Sequence, residues 1–277
     1  MRPAPHSPPA VAGRIDIRNL SIRLGQGRQA FEAVQNVSLG IEPGEFVCLL
    51  GPSGCGKSTL LGTLAGHLQP GSGDIRVDAL PVEGPHPERG LVFQHHTLFP
   101  WLKVVDNVAF GMKMRGIGRQ ERSREAQRLL DRVGLSEFRH HYPSQLSGGM
   151  QQRVEIARVL INQPKVMLMD EPFGALDAQT RMMMQQLLLD IWESIRTTIV
   201  FITHDIDEAL FLADRIIVMS PRPGRIIEQI AVEFARPRRA ELITTDGFTR
   251  LKHRCLELLH PKSNHPLPRL SPLGTVP

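Results

Sequence analysis

Nine consecutive residues carry the clearest chemical signal in this sequence. Residues 51–59 fit the pattern G-x-x-x-x-G-K-[ST], in which glycines let backbone N–H groups turn inward and a helix begins at the lysine. Such a loop binds a polyphosphate: Lys57 would reach the β- and γ-phosphates, and the Ser58 hydroxyl would bind the bridging Mg²⁺. We therefore predict an ATP site formed by Gly51, Pro52, Ser53, Gly54, Cys55, Gly56, Lys57, Ser58 and Thr59.

A pair of carboxylates follows an apolar run further along the chain. Residues 166–171 read Val-Met-Leu-Met-Asp-Glu, the form of a Walker B strand. Asp170 is the predicted Mg²⁺ ligand, directly or through a water molecule. A carboxylate pair at a strand end also occurs as a plain cap, but the phosphate loop upstream favours the metal role.

Three more polar positions stand where strands end or helices begin. Gln94 ends the apolar strand predicted over residues 90–94, and His204 follows the one predicted over residues 198–203. A lone histidine at a strand end is usually structural, so only its place in this array makes His204 a candidate. Ser147 is placed as a helix N-cap, and the glycines at 148 and 149 bare N–H groups, which predicts a second anion site.

Alternating strands and helices must position these residues. A short apolar strand over residues 45–50 precedes the phosphate loop, and a helix over residues 60–65 follows it. Residues 15–22 and 36–41 read as two neighbouring strands. Residues 117–132 are helix-prone, with one apolar stripe, which indicates a helical lobe inserted into an α/β core.

Composition limits the remaining classes. At 277 residues the chain is expected to form one domain with a lobe or extension. The net charge is +5, but aromatic residues make up only 5% and no basic run is interleaved with them, so a solvated surface is favoured and no nucleic-acid partner is expected.

Cys48, Cys55 and Cys255 have no paired spacing, which indicates a reducing compartment and no structural metal. No run approaches the roughly 20 apolar residues that span a bilayer, so any membrane role is expected to come through a partner.

The order of the motifs resembles the nucleotide-binding subunit of an ABC transporter. The resemblance covers about residues 15–235, and its most specific stretch is Leu-Ser-Gly-Gly at 146–149. Finer stretches at 82–94, 99–111 and 173–177 resemble the nitrate, taurine and aliphatic-sulfonate importer subfamily.

The resemblance implies a fold and a division of the chain. The fold is α/β, a P-loop NTPase (RecA-like) core with an antiparallel β subdomain and an inserted helical subdomain. The expected parts are a disordered tail over 1–13, a nucleotide-binding domain over 14–235 with its helical subdomain at about 95–162, and a C-terminal extension over 236–277 with a short helix and a Pro-rich tail.

It also implies a homodimer in which ATP lies between the phosphate loop of one subunit and Ser147, Gly148 and Gly149 of the other. Glu171 would act as general base, with His204 contacting the γ-phosphate and Lys57 stabilising its charge. Gln94 would complete the Mg²⁺ coordination, and Asp177 would contact the opposite subunit.

The implied partners are integral membrane permease subunits and, indirectly, a periplasmic or extracellular solute-binding protein. The chain would lie peripherally on the cytoplasmic face of the inner membrane and energise uptake of a small oxyanion, either taurine or another sulfonate, or alternatively nitrate. A soluble ABC ATPase is disfavoured because no coiled-coil insertion or second cassette is present. Phe99 and Trp101 are expected to anchor the permease; the alternative is that both rings fold back into the helical lobe.

Two departures from the family pattern concern the nucleotide. Met150 stands where the Leu-Ser-Gly-Gly loop often continues with Gln, and Leu24 stands where an aromatic usually stacks on adenine. We expect Phe31 to supply that ring instead, the alternative being that Phe31 is ordinary core. Cys55, at a helix N-terminus beside Lys57, is expected to have a lowered thiol pKa and raised reactivity.

Overall fold

The structure, a computed structural model, describes residues 12–259. The predicted Pro-rich tail, and the predicted N-terminal tail except for its last two residues, lie outside the described residues. The strands are β1 (Ile15–Leu24), β2 (Phe31–Ile41), β3 (Phe46–Leu50), β4 (Ser72–Val77), β5 (Leu80–Pro81), β6 (Arg89–Val92), β7 (Val166–Asp170), β8 (Thr198–Thr203), β9 (Arg215–Met219) and β10 (Ile226–Ala231). The α-helices are α1 (Lys57–Ala65), α2 (Val104–Val108), α3 (Phe110–Met114), α4 (Arg119–Arg132), α5 (Gly148–Leu160), α6 (Ala178–Ile195), α7 (Ile206–Leu212) and α8 (Asp246–Leu259).

The larger sheet supports the phosphate loop and both carboxylates. Its six strands run in the order β10-β9-β3-β8-β7-β6, and all neighbours are parallel except β9 and β10. Strands β3 and β8 are buried along their whole length, as the continuous apolar runs require of strands covered on both faces. Because parallel strands point the same way, the carboxyl ends of β3, β7 and β8 lie at one edge. The functional loops leave the sheet there.

The smaller sheet is antiparallel, in the order β2-β1-β4-β5. The predicted alternation along β1 is confirmed, since its apolar positions are buried: Ile15, Ile17, Leu20 and Ile22. Strand β2 begins at Phe31, five residues before the predicted start at Asn36. A bridge between Val34 and Gly224 ties β2 to the loop after β9. The smaller sheet is therefore joined to the loop that follows β9 of the larger sheet.

The helical lobe, α2 to α5, is inserted between β6 and β7. Its predicted helix over 117–132 is found as α4, where Ala126 and Leu130 supply the buried stripe. Strand β6 ends at Val92, so Gln94 lies two residues beyond the strand that was predicted to end with it. Residues 94–101, which we call the Gln94 segment, lead from this strand into the lobe and contain no regular secondary structure.

The C-terminal part of the described chain packs on the core. The predicted short helix is found as α8, with Phe248 and Cys255 buried. Before it, the guanidinium of Arg238 is 2% exposed and donates to the carbonyls of Phe211 and Ala213 at 3.0 and 2.7 Å. These carbonyls end α7, so Arg238 caps that helix. Within residues 12–259, no helix has both the length and the apolar composition needed to cross a bilayer.

Candidate active site

The phosphate loop joins the end of β3 to the start of α1, as the motif predicts. Gly56 is the N-cap of α1 with φ of 101°. An added Cβ there would lie 2.6 Å from the Ala33 carbonyl oxygen, so both the backbone angle and the space require glycine. The loop therefore passes close to the backbone of β2 at this position.

Lys57 lies inside this loop. Its side chain is buried, and its ammonium group donates to the carbonyl oxygens of Gly51 at 2.8 Å and Pro52 at 3.1 Å. These contacts hold a positive charge among the loop residues, where phosphate oxygens would bind.

Ser58 and Asp170 meet across the edge of the sheet. The Ser58 hydroxyl donates to the Asp170 carboxylate at 3.0 Å, which links the first turn of α1 to the end of β7. Burial raises the pKa of Asp170 and the Glu171 charge raises it further, while the Ser58 hydrogen bond and the Lys57 charge oppose the shift. A hydroxyl and a carboxylate are hard oxygen donors of the type that Mg²⁺ prefers, so this pair fits the expected metal.

Glu171 and His204 form a second contact at the same edge. The Nδ1 atom of His204 lies 2.9 Å from the Glu171 carboxylate, and the histidine is largely exposed. Glu171 has φ of 42°, an uncommon angle for a non-glycine residue, and its N–H donates to the Ile202 carbonyl at 3.0 Å. That bond to the neighbouring strand, β8, directs the carboxylate towards the histidine.

The Leu-Ser-Gly-Gly loop begins α5 on the helical lobe. We call residues 147–149 the signature loop. Ser147 caps the helix as predicted, its hydroxyl accepting from the Met150 N–H at 3.4 Å. A Cβ on Gly149 would lie 2.6 Å from the Thr180 side chain, so this glycine packs directly against α6.

Asp177 is joined to the signature loop through that same threonine. Its carboxylate caps α6 by accepting from the Thr180 N–H at 3.0 Å, and this hydrogen bond is the main cause of its lowered pKa. The structure therefore brings Ser147, Gly149 and Asp177 together, although they are far apart in sequence.

Gln94 is exposed and, within residues 12–259, makes no side-chain hydrogen bond. The segment that carries it is held by Glu155 of α5, a residue that the sequence analysis missed. Glu155 is 1% exposed and lies between the buried Val154 and Ile156. A charged residue inside an otherwise apolar run of a helix was the available signal.

Phe31 is not core. Its side chain is 39% exposed, and the Arg222 guanidinium lies 4.6 Å from the centre of its ring. In the β1–β2 register Phe31 pairs with Leu24, which packs partly buried against the core. The alternative that Phe31 is an ordinary core residue is wrong, whereas its contact with adenine stays a prediction. Sequence reasoning did not find Arg222.

The expectation for Cys55 is wrong. The side chain is 1% exposed, and burial raises the thiol pKa; the nearby Lys57 charge lowers it, but by less. The helix-terminal position suggested activation, but the loop folds the sulfur towards the interior, where the charged thiolate is disfavoured.

Trp101 and Phe99 are placed differently from each other. Trp101 is 71% exposed, so it does not fold back into the helical lobe. Phe99 is half-buried, with its ring centre 4.5 Å from that of Phe110 and 5.6 Å from that of Trp101. Phe99 therefore packs between Phe110 of the lobe and the exposed indole of Trp101.

A phosphate loop, a Walker B carboxylate and a parallel sheet define this chain as a P-loop NTPase. The family profile described as ABC transporter matches residues 34–174, and the chain belongs to the ABC transporter family as an ABC-type ATPase.

Curated relatives and a solved structure agree with this assignment. The chain is 51% identical over 208 residues to the taurine import ATP-binding protein TauB of Yersinia pestis bv. Antiqua, covering 75% of this chain and 82% of that protein. It is 53% identical over 212 residues to the protein of the same name from Chromobacterium violaceum, covering 76% and 81%. The dimeric post-hydrolysis structure of the ATP-binding cassette MJ0796 bound to ADP and Pi is similar with a TM-score of 0.70 and 33% identity, covering 80% of this chain and all of that one.

Proposed function

We propose that this chain is the ATP-hydrolysing subunit of an importer for a small oxyanion, taurine or another sulfonate first and nitrate second. The observation that carries the ATPase role is the 2.9 Å contact between Glu171 and His204 beside the Ser58–Asp170 pair. The direction of transport and the solute are supported by the similarity to the taurine import ATP-binding proteins.

The residues of the sheet edge divide the chemistry among them. Loop 51–59 binds the polyphosphate, and Ser58, Asp170 and Gln94 are the residues that would hold Mg²⁺, which supplies charge neutralisation on the phosphates. Glu171 accepts the proton of the attacking water. His204 and Lys57 stabilise the negative charge that develops on the γ-phosphate.

The signature loop serves a second copy of the chain. Among residues 12–259, no hydrogen bond or ion pair joins Ser147, Gly148 or Gly149 to the phosphate loop of the same chain. A homodimer places this loop over the nucleotide of the partner, with Asp177 at the contact. The dimeric state of the similar cassette MJ0796 supports a homodimer. ATP then favours the closed dimer and hydrolysis releases it.

The partners follow from the same proposal. The proposed nucleotide-binding domain spans residues 14–235, with its helical subdomain at about 95–162, and the proposed C-terminal extension begins at residue 236. The chain acts peripherally on the cytoplasmic face of the inner membrane, docked on permease subunits that receive solute from a binding protein. The exposed Trp101, supported by Phe99, anchors the permease.

Growth of a deletion strain tests the solute. The strain lacking this gene is supplied with taurine, an alkanesulfonate or nitrate as the sole source of sulfur or nitrogen, and the intact gene is returned as control. Loss of growth on taurine alone supports a taurine importer, and loss on nitrate alone replaces it with the nitrate alternative. Unimpaired growth on all three contradicts an oxyanion importer.

Reconstituted complexes test the docking role of Trp101. Because this side chain is already 71% exposed, Trp101→Ala is expected to leave the stability and basal ATPase of the isolated chain unchanged while abolishing permease binding and uptake. The exposed Leu80→Ala, in β5, is the matched control. A Trp101→Ala protein that still assembles and transports would move the docking surface elsewhere.

A further inference from the structure

The Gln94 segment is held to α5 by hydrogen bonds at Thr97. The N–H of Thr97 donates to the Glu155 carboxylate, and its hydroxyl contacts the same oxygen at 3.2 Å. On the other side, the Arg158 guanidinium donates to the Thr97 carbonyl at 2.8 Å. A negative group thus binds the backbone donor, and a positive group one helical turn away binds the backbone acceptor. We call Glu155, Thr97 and Arg158 the clamp.

The clamp uses groups that are unfavourable to bury. Glu155 is 1% exposed, and within residues 12–259 its second carboxylate oxygen has no hydrogen-bond partner. Burial lowers the pKa of Arg158, and the charge of Glu155 opposes that shift. Burying a carboxylate oxygen that has no hydrogen-bond partner is unfavourable, and an apolar side chain at position 155 would not incur that cost. The glutamate is therefore better explained by what it holds than by stability.

Further contacts of the segment with the lobe are made by Phe99. The Asn107 side chain of α2 accepts from the Phe99 N–H at 2.8 Å and donates to the Phe99 carbonyl at 3.1 Å. The Phe99 ring also lies 5.6 Å from the Arg158 guanidinium. The clamp and the Asn107 hydrogen bonds hold the middle of the segment. Gln94 at one end and Trp101 at the other are exposed.

His96, the neighbour of Thr97 in the chain, lies between the clamp and the signature loop. His96 has its Nδ1 atom 3.7 Å from the free oxygen of Glu155, and its Nε2 atom would lie 3.8 Å from a Cβ on Gly148. Ser147 is the N-cap of α5, the helix that contains Glu155, so a rigid displacement of this helix would move both residues.

We propose that Glu155 and Arg158 are positioning residues that lock the Gln94 segment to α5, so that Gln94, Trp101 and the signature loop move as one body. This inference rests on the proposed function, which assigns Gln94 to the metal, Trp101 to the permease and the signature loop to the partner's nucleotide. Opening the clamp uncouples these three elements while the phosphate loop stays intact.

The test compares Glu155→Ala with Glu155→Gln in the full chain. The readouts are the exchange of backbone amide hydrogens in the peptide spanning 95–101, and kcat and KM for MgATP. The alanine variant is expected to speed exchange in this peptide alone, and to lower kcat about tenfold with KM within about twofold, because an interaction needed only for turnover is lost. The glutamine variant keeps an acceptor for the Thr97 N–H and is expected to recover most of both.

The control is Glu125→Ala, which removes an exposed ion pair with Arg128 on α4 and should change neither readout. Normal exchange in Glu155→Ala would show that the clamp does not hold the segment. Faster exchange with unchanged kcat, or destabilisation spread over the whole chain, would make Glu155 purely structural. If Glu155→Ala does not fold, the test moves to Arg158→Lys, since Arg158 is only half-buried. This variant must also speed exchange in the 95–101 peptide and lower kcat; otherwise the proposal fails. The proposed function fails separately, if Glu171→Gln retains turnover.

Discussion

The phosphate-loop region and the signature region differ in how completely one chain assembles them. In the first, Ser58 meets Asp170 and Glu171 meets His204 by direct hydrogen bonds, and Lys57 is held within its loop. In the second, the signature loop and Asp177 contact each other through Thr180 but, among residues 12–259, make no hydrogen bond or ion pair with the phosphate loop.

The supporting elements explain this difference. The first region lies at the carboxyl ends of neighbouring parallel strands, where the sheet brings loops from distant parts of the sequence to one edge. The second lies at the N-terminus of α5, on a lobe joined to the sheet through the irregular Gln94 segment. One region is therefore preorganised, whereas the other needs a second surface, which the proposed dimer supplies.

The largest expected effect separates hydrolysis from binding in the preorganised region. Glu171→Gln removes the proposed base while keeping the shape of the side chain, so turnover should fall by about 10²–10⁴. ATP affinity should be kept, and the closed dimer should accumulate with ATP on gel filtration. Near-normal turnover would remove Glu171 from the catalytic role.

Two glycine substitutions compare the regions directly. Gly56→Ala places a Cβ 2.6 Å from the Ala33 backbone at φ of 101°, a strain of about 1–3 kcal/mol, and should weaken ATP binding by a single chain about tenfold or more. Gly149→Ala meets only the Thr180 methyl group, and should leave that binding unchanged while lowering hydrolysis. Fluorescent-nucleotide titration and ATPase assays separate the two outcomes. Equal loss of ATP binding in both variants would contradict the proposal that one chain binds ATP through the phosphate loop without its signature loop.

A smaller effect is expected at the nucleotide base. If Phe31 stacks on adenine, Phe31→Ala should weaken ATP binding roughly tenfold, since such contacts are worth about 1–3 kcal/mol. Phe31→Tyr keeps the ring and serves as the matched control. Because the side chain is 39% exposed, the alanine variant should fold normally. Unchanged ATP affinity in Phe31→Ala would show that Phe31 does not contact adenine and that its ring serves only the contact with Arg222.

The smallest effect concerns Cys55. Its thiol pKa is raised, so the thiolate fraction at neutral pH is below that of an ordinary cysteine, and alkylation should be slow and quicken as pH rises towards that pKa. Rates measured by mass spectrometry between neutral and alkaline pH check this, with the unfolded chain as reference. Faster labelling of the folded chain than of the unfolded chain at neutral pH would show instead that the thiol is activated.

Local pattern was sufficient wherever the chemistry belongs to one short stretch. The phosphate loop, the Ser147 cap and the helix of the lobe were predictable because a turn, a cap or an amphipathic helix is specified by neighbouring residues. The length of β6 was not, because the end of a strand depends on its partner: β6 stops pairing with β7 at Val92.

The sequence by itself determined the ABC family and predicted the ATP site, since motif order and spacing indicate both. Only the tertiary structure decided which distant residues meet: Asp177 approaches Gly149 through Thr180, and Thr97 binds Glu155. It also showed that the thiol pKa of Cys55 is raised, where a lowered pKa was expected, and that the Phe31 side chain is exposed. The physical reason is common to these cases: burial and long-range contact depend on how distant segments pack, and no local pattern encodes that packing.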